Sequence, residues 1–119
     1  MSNASFAQEL PRRRAAHARA LEEDLRSLTR QLAAIPEVRK AVLFGSAARG
    51  RRDLLTDIDL LVVMHSNAGF VERCGRLAET LRARCGLDLL VYTPDEMARL
   101  VNRPFIRKAL AEGMVLHEE

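Results

Sequence analysis

The chain has 119 residues and a mass of 13.4 kDa, with 19 Lys and Arg against 16 Asp and Glu for a formal net charge of +3. That length suits one domain over residues 1–119 and leaves no room beside it for a second, substrate-binding one. A hydrophobic fraction of 48% with 29% charged residues excludes a disordered, collagen-like or disulfide-stapled chain, and the longest apolar run, Leu60 to Met64, is far short of the ~20 residues a membrane span needs.

Leu21, Leu25, Leu28, Leu32 and Ile35 recur at spacings of four and three and make one stripe of a helix that Pro36 ends. This helix is expected to start soon after Pro11, with residues 1–15 free to be disordered and Ser2-Asn3-Ala4 given no role. Its stripe is expected to pack on the chain's own sheet, a partner helix being the alternative. Ala41 to Phe44 is a short apolar run stopped by Gly45, which suits a buried strand. A turn of helix follows from Ser46 to about Gly50, and then a second strand from Asp57 to Met64. Ser66 or Asn67 is placed to cap a helix with Phe70, Cys74, Leu77 and Leu81 on one face, ending at Gly86. A third strand runs from about Leu87 to Tyr92. Thr93-Pro94-Asp95-Glu96 has the form of a capping box with Pro at the first helical position, opening a helix with Met97, Leu100 and Val101. Pro104 restarts a last helix through Phe105, Ile106, Ala109 and Leu110, closed by Gly113, and Met114 to Leu116 is a candidate edge strand. Strands alternating with helices predict an α/β fold, a mixed sheet of three to four strands with helices packed on it.

Composition narrows the partners. Lys occurs only at Lys40 and Lys108, so the positive charge is almost all Arg, which suits phosphate and carboxylate recognition; a GC-rich genome gives the same bias. Aromatics are 4% with no Trp, so the stacking platforms of a single-strand nucleic-acid binder are missing and nucleic acid is disfavoured as a partner. Cys74 and Cys85 stand in no CxxC and at no zinc-like distance from a His, and read as reduced core thiols. His17, His65 and His117 have no partner at a telling spacing and read as surface residues. With no apolar leader and no membrane span, the expected location is the cytoplasm.

Asp57 and Asp59 are two apart in the second strand, so both carboxylates point to one side while Ile58 and Leu60 point to the other. Two carboxylates at the head of a buried strand call for a cation between them, and hard oxygen donors suit Mg²⁺; a solvent-exposed strand end is the alternative. Asp88 stands between Leu87 and Leu89 in the third strand and completes a three-carboxylate cluster if the two strands are neighbours. Gly45-Ser46, at a strand-to-helix junction, brings backbone amides and a hydroxyl to where an anion could bind, or serves only as a cap. Arg49, Arg51 and Arg52 follow in a Gly-containing loop, placed to neutralise a polyphosphate or to be solvated.

Phe44-Gly45-Ser46-Ala47-Ala48-Arg49-Gly50, then Thr56-Asp57-Ile58-Asp59-Leu60, then a later strand Asp, together resemble the DNA polymerase β-type nucleotidyltransferase superfamily, whose signature is Gly-Ser, a spacer and Asp-x-Asp. The resemblance spans Val42 to Tyr92. Phe105 to Leu116, with its Glu112-Gly113, is similar to the C-terminal segment of the small single-domain members, the minimal nucleotidyltransferases found as antitoxins beside HEPN-type toxins. The resemblance implies the small nucleotidyltransferase fold and a role for each matching position. Asp57 and Asp59 would hold two Mg²⁺ ions, Asp88 would share one and help deprotonate the attacking hydroxyl, and Gly45 and Ser46 would grip the β- and γ-phosphates of ATP, with Arg49 beside them. The implied reaction is in-line attack on the α-phosphate with pyrophosphate leaving. Its implied acceptor is a hydroxyl, a Tyr, of a HEPN-type toxin, within a homo- or hetero-oligomer. Neutralisation by complex formation alone is the alternative, and nucleotidyl transfer to an antibiotic is a weaker one, since enzymes of that kind carry an extra helical domain. Two positions depart from the family pattern: Ala47 stands where Arg is frequent, a contact that Arg49 or Arg51 would have to supply, and Thr56 stands where Ser is frequent and keeps the hydroxyl.

Overall fold

The computed structural model describes residues 3–119, with side chains from Glu9 onward. Helix α1 (Asn3–Ala33) carries Pro11 inside it and does not begin after it. The stretch from Arg12 to Ala20 is rich in Ala and Arg, both strong helix formers, and the helix runs across the proline into it; of the stretch expected to be free for disorder, Met1 and Ser2 lie outside the described residues and the rest is helical. Then follow β1 (Val38–Phe44), the single turn α2 (Gly45–Ala48), β2 (Ile58–Met64), α3 (Phe70–Thr80), β3 (Leu87–Tyr92), α4 (Pro94–Leu100), α5 (Pro104–Glu112) and β4 (Met114–Glu118).

The sheet is mixed and four-stranded in the order β3-β2-β1-β4. β1 runs antiparallel to β2 and to β4, and β2 is parallel to β3. The candidate edge strand at the C-terminus is therefore real, and it is longer than the apolar run suggested because Lys40 and Ala41 of β1 also pair with Glu118 and His117.

Alternation along the strands divides the core in two. On one face, Ala41, Leu43, Ile58, Leu60, Val62 and Val91 pack with Leu21, Leu25, Leu28 and Leu32 of α1 and Leu77 of α3, so the leucine stripe serves the chain's own sheet. On the other, Leu61 and Val63 pack with Ile106 and Ala109 of α5, flanked by Phe44, Tyr92, Met97 and Leu100.

Helix α3 differs from expectation at both ends. Its N-cap is Gly69, and Ser66 Oγ instead accepts from the Ala68 amide at 3.1 Å. It stops at Thr80, because α1 takes up the backbone that follows. Gln31 Oε1 accepts from the Arg82 amide (2.8 Å) while its Nε2 donates to the Arg82 carbonyl (2.9 Å), and Asp24 Oδ2 accepts from the amides of Arg84 (2.9 Å) and Cys85 (2.8 Å). Side chains that meet backbone groups in this way hold a loop against the local tendency to stay helical. The capping box of α4 is present as expected: Thr93 Oγ1 accepts from the Glu96 amide (3.2 Å) and Glu96 Oε1 from the Thr93 amide (2.8 Å).

Candidate active site

β2 and β3 pair in register with Asp59 opposite Asp88, and β1 and β2 with Phe44 opposite Asp59. Opposed residues share a face of the sheet, so Phe44, Asp59 and Asp88 form a row across three strands. The row lies on the face that α5 covers farther along, at the open end beyond the helix. Asp57 stands one residue before β2 and not inside it. Its carboxylate rests on the loop ahead of β3, where a Cβ on Gly86 would come within 2.5 Å of Asp57 Oδ1 and 2.8 Å of its Cγ. The Gly86 carbonyl accepts from the Ile58 amide at 2.9 Å, which extends the β2–β3 ladder beneath the site.

Gly45 is required twice over. Its φ of +72° lies in the left-handed region, and a Cβ there would collide with Asp59 Oδ2. The strand-to-helix turn therefore brings bare backbone against a carboxylate. Ser46 is half-buried beside it. Of the three arginines that follow, two are committed elsewhere: Arg51 Nε pairs with Asp53 Oδ2 at 2.5 Å, and Arg52 reaches Glu22 Oε1 on α1 at 2.7 Å and the Ala47 carbonyl at 2.8 Å. Arg49 is exposed and has no ion pair among the described residues, so it alone of the three is free to meet a phosphate in place of the contact absent at Ala47. Thr56 is buried, with its hydroxyl donating to Asp53 Oδ1 at 3.2 Å, and shapes the loop.

Burial raises the pKa of Asp59 above the ordinary carboxylate value; Asp88 and then Asp57 raise it further, against a smaller lowering by Arg49. No Lys, Arg or His pairs with any of the three aspartates among the described residues. Hard oxygen donors that repel one another, with no ion pair and only the weaker pull of Arg49 to offset them, fit a divalent metal. Among the described residues no three acidic, His or Cys side chains are already gathered around one point. The site thus offers carboxylates in pairs, and Mg²⁺ commonly takes one or two, completing its shell with water and phosphate oxygens.

Sequence reasoning missed several residues that build this region. Asp24, 5% exposed within α1, holds the Arg84–Cys85 backbone and through it Gly86; a lone acid among the helix's Glu and Arg carries no signal until the partner loop is known. Its carboxylate, after burial, also helps push the Cys85 thiol up to about 11, so Cys85 stays protonated. His17 is not a free surface residue: its Nε2 contacts the Thr56 carbonyl at 3.0 Å. His117 is half-buried too, with Nε2 enclosed and unpartnered among the described residues. His65 is exposed as expected, accepting from Arg39 Nε at 3.0 Å. Arg73 is the least expected, buried at 5% exposure on α3, where it donates to the Val91 and Ala68 carbonyls (3.1 and 2.9 Å) and pairs with Glu96.

A family described as "Polymerase beta, Nucleotidyltransferase" matches residues 26–119. No curated protein matches the chain. Among solved structures, the chain is similar to a chain of the MntA–HpeT toxin–antitoxin in a tyrosine-to-alanine variant, at 22% identity and TM-score 0.48 over 73% of this chain and 65% of that one. It is similar to a candidate nucleotidyltransferase from Sulfolobus solfataricus at 22% identity and TM-score 0.48, over 72% of this chain and 75% of that one. A second MntA–HpeT variant, with two aspartates changed to glutamate, gives 19% identity and TM-score 0.47 over 86% and 73%. Because the family match runs unbroken through all four strands and every carboxylate of the row, the chain belongs to the polymerase beta-type nucleotidyltransferase family.

Proposed function

We propose that this nucleotidyltransferase moves a nucleoside monophosphate, AMP from ATP, onto a hydroxyl of a partner protein, and that the partner is a HEPN-type toxin which it silences as an antitoxin. The observation that carries the chemistry is the in-register pair Asp59 and Asp88, which no ion pair reaches among the described residues and whose mutual repulsion at Asp59 outweighs the pull of Arg49, with Asp57 beside it and Gly45 pressed against Asp59. The partner reading rests on the resemblance of the Gly-Ser and Asp-x-Asp segments, and of the C-terminal Glu112-Gly113 segment, to minimal nucleotidyltransferases.

Asp57, Asp59 and Asp88 would hold Mg²⁺, as a pair of ions, and when bound the metal supplies charge neutralisation at the phosphates and carboxylates. The chain's own groups do the rest. Gly45 and Ser46 orient the β- and γ-phosphates, since a glycine backbone can approach them where a side chain could not. Arg49 screens their charge. The acceptor oxygen attacks the α-phosphorus opposite the bridging oxygen, the bond to that oxygen breaks, and pyrophosphate leaves with the electron pair. A carboxylate oxygen of Asp88 takes the proton of the attacking hydroxyl.

The test is incubation with labelled nucleoside triphosphates, Mg²⁺ and the product of the adjacent gene. Label on a hydroxyl of that product, lost in Asp57→Asn and Asp59→Asn, is the expected result. No label with any nucleotide, beside a working control enzyme, removes the transfer reading. Neutralisation that persists undiminished in both variants makes complex formation the mechanism.

A further inference from the structure

The segment that joins α2 to β2 carries Leu54 and Leu55 at its turn. Both are open to solvent, Leu55 at 79% and Leu54 at 41% exposure. Thr56, Ile58 and Leu60 are buried, whereas Leu55 and Asp57 are exposed and Asp59 is partly so. The alternation of β2 thus continues back to Leu55 and sets it on the outward side of the chain, the side that carries Asp57 and Asp59. Two residues of chain span about 7 Å at most, so Leu55 stands at the rim of the carboxylate site.

Polar contacts brace this apolar tip from both sides. Asp53 Oδ1 accepts from the Leu55 amide (2.9 Å) and the Thr56 hydroxyl (3.2 Å), and the Asp53 carbonyl accepts from the Thr56 amide (3.1 Å). Arg51 Nε holds Asp53 Oδ2, while the Arg51 amide donates to the Ser46 carbonyl at 3.0 Å. Arg52 ties the loop to Glu22 of α1 and to the Ala47 carbonyl, and His17 Nε2 contacts the Thr56 carbonyl. These contacts fix the backbone on either side of the leucines and leave their side chains uncovered. A loop held in this way has little conformational freedom left to lose when a partner covers its tip, and adjacent exposed apolar residues at the edge of a site mark an interaction surface.

We propose that Leu55, with Leu54 beside it, is the anchor on which the acceptor docks, and that the acceptor is a folded protein with an apolar recess next to the hydroxyl it presents. The inference rests on the proposed transfer to a protein and adds how that protein is recognised. A hydroxyl that reaches a phosphate held at Asp57 and Asp59 brings the surface around it against Leu55. On a protein that surface offers side chains able to cover the leucine, whereas a small polar acceptor would leave it in water. The leucines therefore select for a protein acceptor through binding, without touching the reacting atoms.

The product of the adjacent gene is the probe, in calorimetric titration and in transfer assays with MgATP, against wild type, Leu55→Ser, Leu55→Met and Val71→Ser. Val71 is the control because it is as open, at 83% exposure, but follows Phe70, whose ring lies 5.4 Å from that of Tyr92, opposite Val63 at the far end of β2. Covering one leucine side chain is worth about tenfold or more in affinity. Leu55→Ser should therefore weaken binding and raise KM by at least about tenfold with kcat unchanged. Leu55→Met should stay within about threefold of wild type, and Val71→Ser should match it. The rise in melting temperature with MgATP should be the same in all four, since Leu55 meets no nucleotide. Wild-type binding and KM in Leu55→Ser would overturn the inference and leave the transfer reading standing. So would loss of the MgATP shift in that variant, or equal weakening by Val71→Ser. Binding by wild type without label would remove the transfer reading alone, with weaker binding by Leu55→Ser still supporting the docking surface. Neither binding nor label would remove both.

Discussion

At the scale of single residues, the site is defined by close approaches that only one residue type permits. Gly45→Ala would place a Cβ on Asp59 Oδ2 at a φ where a side chain costs about 1–2 kcal/mol by itself. The expected outcome is a lower melting temperature together with loss of transfer. Asp59 behaves oppositely. Burial and the neighbouring aspartates hold its pKa above the unfolded value, so the charged form opposes folding at neutral pH, and that cost fades as pH falls through the raised folded value and is gone below the unfolded one. Asp59→Asn should therefore raise the melting temperature by a few degrees at pH 7, lose that advantage in acid, and abolish transfer. A melting temperature lower than wild type at pH 7 would show that the carboxylate is compensated after all. The Gly-Ser and Asp-x-Asp residues were legible because their spacing is local. Gly86 and Asp24 were not, because each acquires meaning from a residue more than twenty-five positions away.

Elements are tied together by buried polar anchors. Arg73 joins α3 to the β3 carbonyl of Val91 and to the capping box of α4 through Glu96. Its guanidinium, followed by the Thr93 amide, holds Glu96 below its usual 4.5. The pair thus contributes fully above the unfolded value and loses its contribution as pH falls through the lower, folded one. Arg73→Met should cost about 2–4 kcal/mol at pH 7 in a denaturant titration, with part of the difference disappearing below pH 4. A pH-independent difference would assign the cost to packing. Asp24 plays the corresponding part between α1 and the loop before β3. Asp24→Ala leaves two amides without an acceptor, an expected loss of about 1–3 kcal/mol. Since that loop carries Gly86 to Asp57, transfer activity should fall by more than the folded fraction does. Activity that tracks the folded fraction alone would restrict Asp24 to stability.

For the molecule as a whole, one sheet with two differently used faces separates stability from chemistry. The α1 and α3 face is closed by leucine and valine along its full length, whereas the α4 and α5 face is closed at one end and exposes carboxylates at the other. Anything that neutralises those carboxylates in the folded chain stabilises it by mass action. Mg²⁺ with ATP at about 100 times the dissociation constant should add about 2.7 kcal/mol, seen as a rise in melting temperature. Chelation of the metal should reverse that rise, and Asp57→Asn should remove it. An equal shift in that variant would place the ligand elsewhere.

Periodicity and punctuation, which act within a few residues, determined the order of elements, the side of the second strand on which Asp59 lies, and the capping box at Thr93, but not the place of Asp57, which stands ahead of the strand. The leucine stripe of α1 was equally plain, because a helix must bury such a stripe whatever it meets. Tertiary structure alone decided the rest. Strand order set Asp59 against Asp88 and drew the last strand to β1, since pairing depends on residues far apart in the chain. Contacts chose among the arginines: Arg51 pairs locally with Asp53, Arg52 and Arg73 found partners far along the chain, and Arg49 has no ion pair among the described residues. Identical side chains thus anchor the fold or stay unpaired according to what the fold places beside them.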